Sequence, residues 1–261
     1  MLRQGNSFLT AQRTELTRIT DTDGDLVADE YICVSNGWGV TGNYHEYAFG
    51  PRLDRNGNLW MTLNIGMGFQ GKQSSLMVRN KTLNVAQARW RGWGVQVNRS
   101  GKLVPVCAGM RSPSGLGANR AGDMFYTDQQ GNWVGTNSLH HMRSGAFFHH
   151  PEALASMDLP GSPIKGIKAI PGGVPLPEAV KRLKHLKPPA VWFPYKKVGQ
   201  SATDIMLDDS HGRFGPFDGQ LFVSDQHHAR GCLDEMREHV AAGGGGDLGR
   251  IWACRRQRLP P

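Results

Sequence analysis

The sequence predicts an all-β chain built as a β-propeller, with four-stranded sheets repeated around an axis. Three observations predict it. Glycine (34) and proline (15) together make about 19 % of the 261 residues, against a usual ~12 %. That much turn chemistry argues for many tight connections rather than a helical bundle. A short unit recurs, a glycine and a polar residue followed by a β-favouring apolar run. The units also lie much further apart than the roughly 8–12 residues that separate successive strands of a sandwich.

The unit occurs as Gly5-Asn6-Ser7-Phe8-Leu9-Thr10, Gly57-Asn58-Leu59-Trp60-Met61-Thr62, Gly122-Asp123-Met124-Phe125-Tyr126-Thr127 and Gly219-Gln220-Leu221-Phe222-Val223-Ser224. The last three begin in turns, Arg55-Asn56-Gly57, Arg120-Ala121-Gly122 and Phe217-Asp218-Gly219. Glycine before such a run is a hairpin signal. The spacings are 52, 65 and 97 residues, and one propeller blade needs about 40–50. The first interval fits one blade and the second a blade with an insertion. The third fits two blades, or one with a long insertion.

Further strands are predicted at Glu15–Thr20, Tyr31–Ser35, Gly94–Asn98 and Leu103–Cys107. Met67–Ala88 is polar and glycine-containing and reads as a loop insertion. Pro177–Leu186 reads as a short helix, with proline at its start, Glu178 in its first turn and Val180, Leu183 and Leu186 in register. In the last thirty residues the rhythm stops. Leu233, Met236 and Val240 outline a weak amphipathic helix, followed by the glycines of Gly243–Gly246 and a tail ending in Pro260-Pro261.

Charge and cysteine usage exclude several classes. The net charge is +8, but the basic residues are scattered and not interleaved with stacking aromatics, so no nucleic-acid motif is present. No apolar run reaches a membrane-spanning length of ~18 residues. Cys33, Cys107, Cys232 and Cys254 are far apart and form no metal or redox pair. The start at Met1 carries no secretory signal. Serine-nucleophile, P-loop and dinucleotide fingerprints are absent.

Five groups of residues could carry chemistry. Asp21, Asp23, Asp25 and Asp29, with Glu30, surround Gly24. Alternate carboxylates on a glycine turn supply hard oxygen ligands for Ca²⁺, although a solvated hairpin turn has the same composition. His45 lies in Asn43-Tyr44-His45-Glu46-Tyr47, where a neutral imidazole at a propeller mouth would take a hydroxyl proton. The alternative is a hydrogen-bonded structural histidine. Arg111 opens a loop able to clamp a carboxylate, or is a surface arginine. Asp128-Gln129-Gln130-Gly131 could offer backbone carbonyls to a cation, or is a polar connection. The pairs His140-His141, His149-His150 and His227-His228 cannot easily chelate one metal, because neighbours on a strand face opposite ways. At most one of each pair is expected to face a site.

The run Gly109–Gly117, then Gly122–Asp128, Asn137-Ser138-Leu139 and Gly145–Pro151, resembles the central segment of the glucose/sorbosone dehydrogenase family. The likeness is closest to the propeller of bacterial putative membrane-bound dehydrogenases, whose hallmark stretches are similar to Leu16–Asp29, Gly37–Gly50, Trp90–Val97 and Trp192–Asp225. The resemblance implies a six-bladed propeller type, pyrroloquinoline quinone and Ca²⁺ as cofactors, and a sugar or alcohol substrate. It also implies a periplasmic or extracellular site, with a c-type haem domain in full-length relatives. Under it His45 is similar to the catalytic base, and Arg111, with Ser112 and Gln129, to the quinone-contacting residues. Gln130 and Gly131 are similar to the carbonyl donors of the active-site Ca²⁺. Ser112 stands where the family usually has asparagine, and the paired cofactor arginines of the last blade have no counterpart.

The expected architecture is an incomplete propeller of about four blades over residues 1–228, with insertions at about 67–88 and 152–190. Residues 229–261 are expected to form an atypical tail, helical or disordered. The chain is expected to be a fragment whose tail replaces the native continuation. A non-catalytic propeller that binds carbohydrate or a protein partner is the rival to the dehydrogenase.

Overall fold

The computed structural model describes residues 1–66, 77–78, 81–82, 89–131, 133–167, 173–226, 236–239 and 251–254, the short strands at 77–78, 81–82, 236–239 and 251–254 by their backbone. The chain forms four four-stranded sheets. The first holds β1 (Leu2–Gln4), β2 (Ser7–Ala11), β3 (Leu16–Thr20) and β4 (Glu30–Ser35). The second holds β5 (Ala48–Leu53), β6 (Leu59–Leu63), β9 (Trp93–Val97) and β10 (Leu103–Ala108). Between β6 and β9 lies a separate ribbon of β7 (Met77–Val78) and β8 (Lys81–Thr82). The third is β11 (Pro113–Ala118), β12 (Met124–Asp128), β13 (Asn137–His141) and β14 (Val191–Phe193). The fourth contains β15 (Ala202–Leu207), β16 (Leu221–Asp225), β17 (Met236–His239) and β18 (Ile251–Cys254).

Each recurring glycine unit is the second strand of a sheet: β2, β6, β12 and β16. The turn glycine ahead of each takes positive φ, for example +83° at Gly57 and +89° at Gly122, where a Cβ is disfavoured. The sheets follow one another radially. β5 packs on β1 and β2, β11 on β5 and β6, and β15 on β11 and β12. The cores lie between blades. Val106, Leu116, Met124 and Tyr126 fill the space between the second and third, and Phe125, Leu139, Ile205 and Val223 that between the third and fourth. The structure is an incomplete all-β propeller. At one rim two of the turns reach the next blade: Arg55 donates to the carbonyl of Arg120, and Arg120 to Asp218 at 2.9 Å.

The 97-residue interval is one blade with a long insertion, since residues 142–190 leave the third sheet after β13 and return at β14. Among its described residues stand a 3-10 turn at Pro151–Ser156 and a helix, α1, at Leu176–Arg182. The helix predicted to run to Leu186 stops four residues earlier. Phe147 pairs with the following segment, its N–H donating to His185 O (2.7 Å) and its carbonyl accepting from Lys187 N (2.8 Å). Those bonds require extended chain.

The tail differs from its expectation as well. Met236–His239 is a strand antiparallel to β18, and β18 in turn pairs parallel with β16. A helix of about two turns followed by four glycines nucleates poorly, and the ladder satisfies the same backbone groups. The rest of the predicted tail, the His227-His228 pair and most of the 67–88 insertion lie outside the described residues. Among the described residues, no helix is long and apolar enough to cross a membrane.

Candidate active site

A depression of about 820 Å³ runs along the innermost strands, within the ~300–1,000 Å³ of small-molecule sites. Phe49, Gly50, Pro51 and Arg52 of β5 line it, with Ser114 and Leu116 of β11 and Thr203 and Asp204 of β15. Ser112, Ser114 and Leu116 all reach it, and the pairing of β11 with β12 shifts register between Pro113 and Gly115, at Ser114. Met1, His45, Tyr47, Asn64, Gln129 and Gln226 complete the wall. Arg52 bridges three blades, donating to Leu116 O (2.9 Å) and to the Asp204 carboxylate (3.0 Å). That pair is exposed and adds little stability, but it cancels the charge of the Arg52 guanidinium.

Two buried carboxylates fix where the inner strands begin. Asp128, at the end of β12, accepts the N–H groups of Arg111 (2.9 Å) and Ser112 (2.8 Å). Asp225, at the end of β16, accepts those of Gln200 and Ser201, both at 2.7 Å. Burial pushes the Asp128 carboxyl up to about 6, against the pull of those amides and of Arg111.

His45 sits in the connection between β4 and β5, and a buried arginine holds that connection. Arg91 donates to the carbonyls of Gly39 (2.7 Å), Glu46 (3.0 Å), Tyr47 (3.2 Å) and Arg13 (3.0 Å). Burial lowers its pKa to about 10, while the Glu46 charge opposes the drop. It therefore stays cationic at neutral pH. The Glu46 carboxylate accepts Thr41 N (2.8 Å) and Thr41 Oγ1 (2.6 Å). Aromatic rings flank the imidazole, Tyr44 at 4.2 Å and Tyr47 at 5.8 Å between centroids. Burial, and then the positive charge of Arg111, lower the His45 pKa, so the ring is neutral at pH 7. Its Nδ1 is enclosed without a hydrogen-bond partner, which leaves Nε2 as the nitrogen able to meet a ligand.

Arg111 is not among the lining residues of this depression, whereas its neighbour Ser112 and Gln129 are. Its Nη1 donates to the Gln130 carbonyl at 2.9 Å. A Cβ on Gly131 would lie 1.8 Å from its Nε, so that glycine makes room for a guanidinium. Burial lowers the Arg111 pKa, and the charges of Asp128 and Glu152 oppose the drop. A cation on the Gln129–Gly131 carbonyls would compete with Arg111 for Gln130 and meet its like charge. The residues there do not fit Ca²⁺. The quinone implied by the resemblance fits the depression in size and in hydrogen-bonding groups. Asn64, Ser112, Ser114 and Gln129 offer amides and hydroxyls to its oxygens, with the Arg111 charge close by.

The acidic loop lies apart, between β3 and β4 at the outer edge of the first sheet. Carboxylate oxygens of Asp21, Asp23 and Asp29 come within 4.8 Å of one another. Asp25 is outside that group and accepts Val27 N at 2.7 Å. Asp21 caps Gly24 N and Leu26 N, and Asp29 takes Thr22 N and Oγ1. The Thr22 bonds lower the Asp29 pKa. Loop closure alone therefore explains much of the cluster. Of the histidine pairs, His140 is buried and His141 faces outward more, as strand alternation requires. His149 and His150 are both buried, because they lie past the strand, with His149 at φ 102°.

Sequence reasoning missed Asn64, Ser114, Thr203, Gln226 and the Arg91 anchor. A signal for two of them was present. Seven residues after each recurring glycine stands a carboxamide: Gln12, Asn64, Gln129 and Gln226. Three of these line the depression. Arg91 left no signal, because its partners are backbone carbonyls far away in sequence.

No protein-family model and no curated protein matches the chain. Among solved structures it is similar to a glucose dehydrogenase, with 16 % identity and a TM-score of 0.42 over 75 % of this chain and 54 % of that one. It is also similar to the soluble aldose sugar dehydrogenase of Escherichia coli in its apo-form, with 14 % identity and a TM-score of 0.48 over 90 % and 64 %. The chain thus spans about half to two-thirds of the length of those structures.

Proposed function

We propose that this is a sugar- or alcohol-oxidising propeller in which His45 removes the proton of the substrate hydroxyl. The observation that carries the reading is the state of His45. It is a neutral imidazole on the wall of a polar depression, held by a buried arginine, with one nitrogen enclosed and the other available. The amides of Asn64 and Gln129 bind and orient a hydroxylated substrate beside it, and the hydroxyls of Ser112 and Ser114 are left to the quinone. The rings of Tyr47 and Phe49 offer the substrate apolar faces. Nε2 accepts the proton as the C–H bond breaks, and burial, with the nearby Arg111 charge, keeps the ring unprotonated until then. A bound quinone supplies the hydride acceptor. No step depends on Ca²⁺ at Gln129–Gly131.

The test is quinone-dependent dye reduction over a sugar and alcohol panel, with and without Ca²⁺. His45→Gln is expected to lower kcat by about 10²–10⁴-fold, the usual worth of a general base. The acid limb of the parent's pH profile should lie below pH 6.5, since the base must be neutral and its pKa is lowered. Arg111→Gln should move that limb to higher pH. Sugar-dependent reduction unaffected by His45→Gln would overturn the reading.

One observation favours a second reading, a propeller that binds carbohydrate without oxidising it. The Arg52 charge is met by Asp204, and that of Arg111 by Asp128 and Glu152. A polycarboxylate quinone therefore finds little uncompensated positive charge among the described residues. Sugar binding with neither dye reduction nor quinone binding would select this reading.

A further inference from the structure

We propose that Asn64, Gln129 and Gln226 are the specificity-determining residues of the depression, a set of neutral carboxamides that selects a polyhydroxylated ring over a simple alcohol or an anion. The inference rests on the sugar-binding half of the reading above and not on oxidation.

Each of the three follows directly on the second strand of its blade, β6, β12 and β16, at the same offset from the turn glycine. The propeller repeat therefore brings one amide from each of three blades to one wall. A carboxamide is both donor and acceptor, as is a sugar hydroxyl, and it carries no charge to attract an anion. Two of the set are already oriented. Asn64 Nδ2 donates to Ser112 Oγ and Gln129 Nε2 to Ser114 Oγ, both at 3.2 Å. Each bond leaves the amide oxygen turned to other partners. Asn64 is 1 % exposed, and its Oδ1 is buried with no hydrogen-bond partner. A buried acceptor without a donor is costly, and a ligand hydroxyl reaching it removes that cost. The fourth amide of the repeat supplies an internal control. Gln12 donates to Thr17 Oγ1 at 2.8 Å within the first sheet and is not among the lining residues.

The test is binding by titration calorimetry, with D-glucose, D-galactose, 1-butanol and gluconate as probes, independent of any turnover. Parent protein is expected to bind a hexose more tightly than 1-butanol or gluconate. Gln129→Ala and Gln226→Ala, at partly exposed positions that should leave folding intact, are each expected to weaken hexose binding by about 5- to 10-fold, one hydrogen bond's worth. Asn64→Ala should do so by more, and Gln12→Ala should change nothing. Tm values check that each variant is folded. The proposal is overturned if Gln129→Ala and Gln226→Ala bind the hexoses as the parent does, if Gln12→Ala weakens binding equally, or if the parent prefers butanol or gluconate. Amide-dependent hexose binding without dye reduction supports it and sinks only the oxidation reading. Sugar oxidation indifferent to the amide variants does the reverse.

Discussion

Between pH 7.5 and pH 5.0 the protein is expected to lose several kcal/mol of stability. His140, His149 and His150 are buried. Burial drives His140 and His150 down to about 3 and His149 well below its ordinary value. In the unfolded chain these imidazoles titrate near 6.5. Between those values the unfolded state binds more protons than the native one, so unfolding becomes easier as pH falls. At pH 5.0 an imidazole that stays neutral in the fold costs about 2 kcal/mol, and His140 and His150 together about 4 kcal/mol. Asp128 acts in the opposite sense. Its folded pKa of about 6 lies above its unfolded value, so protonation favours the fold as pH falls through 6, by about 1 kcal/mol at pH 5.0. The net loss remains a large part of a typical ~5–15 kcal/mol. Urea midpoints at the two pH values measure it, and His140→Phe should flatten the difference by one imidazole. Equal midpoints for the parent would mean that the three rings are solvated rather than enclosed.

Gly115→Ala is expected to destabilise the fold by about 3 kcal/mol, the upper part of the usual overpacking range. A Cβ at Gly115 would lie 1.9 Å from the Thr203 carbonyl oxygen and 2.5 Å from Thr127 Oγ1. Neither neighbour can yield cheaply. The first is backbone of β15, and the second is fixed by its own 2.7 Å bond to that carbonyl. Gly117, on the same face of β11, meets Ile205 O at 2.7 Å in the same way. These glycines let the third and fourth blades approach backbone to backbone. Gly135→Ala is the control, with nothing within 4 Å of its Cβ position, and should change stability little. Thermal or urea unfolding of both variants checks the radial packing directly. A Gly115→Ala protein as stable as the parent would show that β11 and β15 do not pack face to face as described.

The fold was legible because its signals are local. A glycine at positive φ followed by an alternating apolar run specifies a turn and a strand without reference to the rest of the chain. Four such units at blade-like intervals placed the second strand of every sheet. Element ends were less legible. The helix after Pro175 carries an apolar pattern through Leu186, yet the bonds of Phe147 to His185 and Lys187 decide where it stops. Met236–His239 has a helical spacing and a strand conformation, because a partner strand is at hand.

The candidate site was half legible. His45, Ser112 and Gln129 could be picked out by residue type and resemblance, and they share one wall. Arg111 was picked out with them, but it is not one of the residues lining that wall and donates to the Gln130 carbonyl. The carboxamides at a fixed offset were visible in the sequence but have meaning only once three strand ends converge.

By itself the sequence determined the all-β class, the repeat and the turn positions, since backbone preference and strand alternation act over a few residues. Only the tertiary structure decided that the 97-residue interval is a single interrupted blade, which side chains meet in the depression, and that Arg91 anchors the His45 connection. Those outcomes depend on contacts between residues dozens of positions apart, and on burial, which sets the charge of His45, Asp128 and His140. Neither distance in space nor exclusion of water is written in any short stretch of chain.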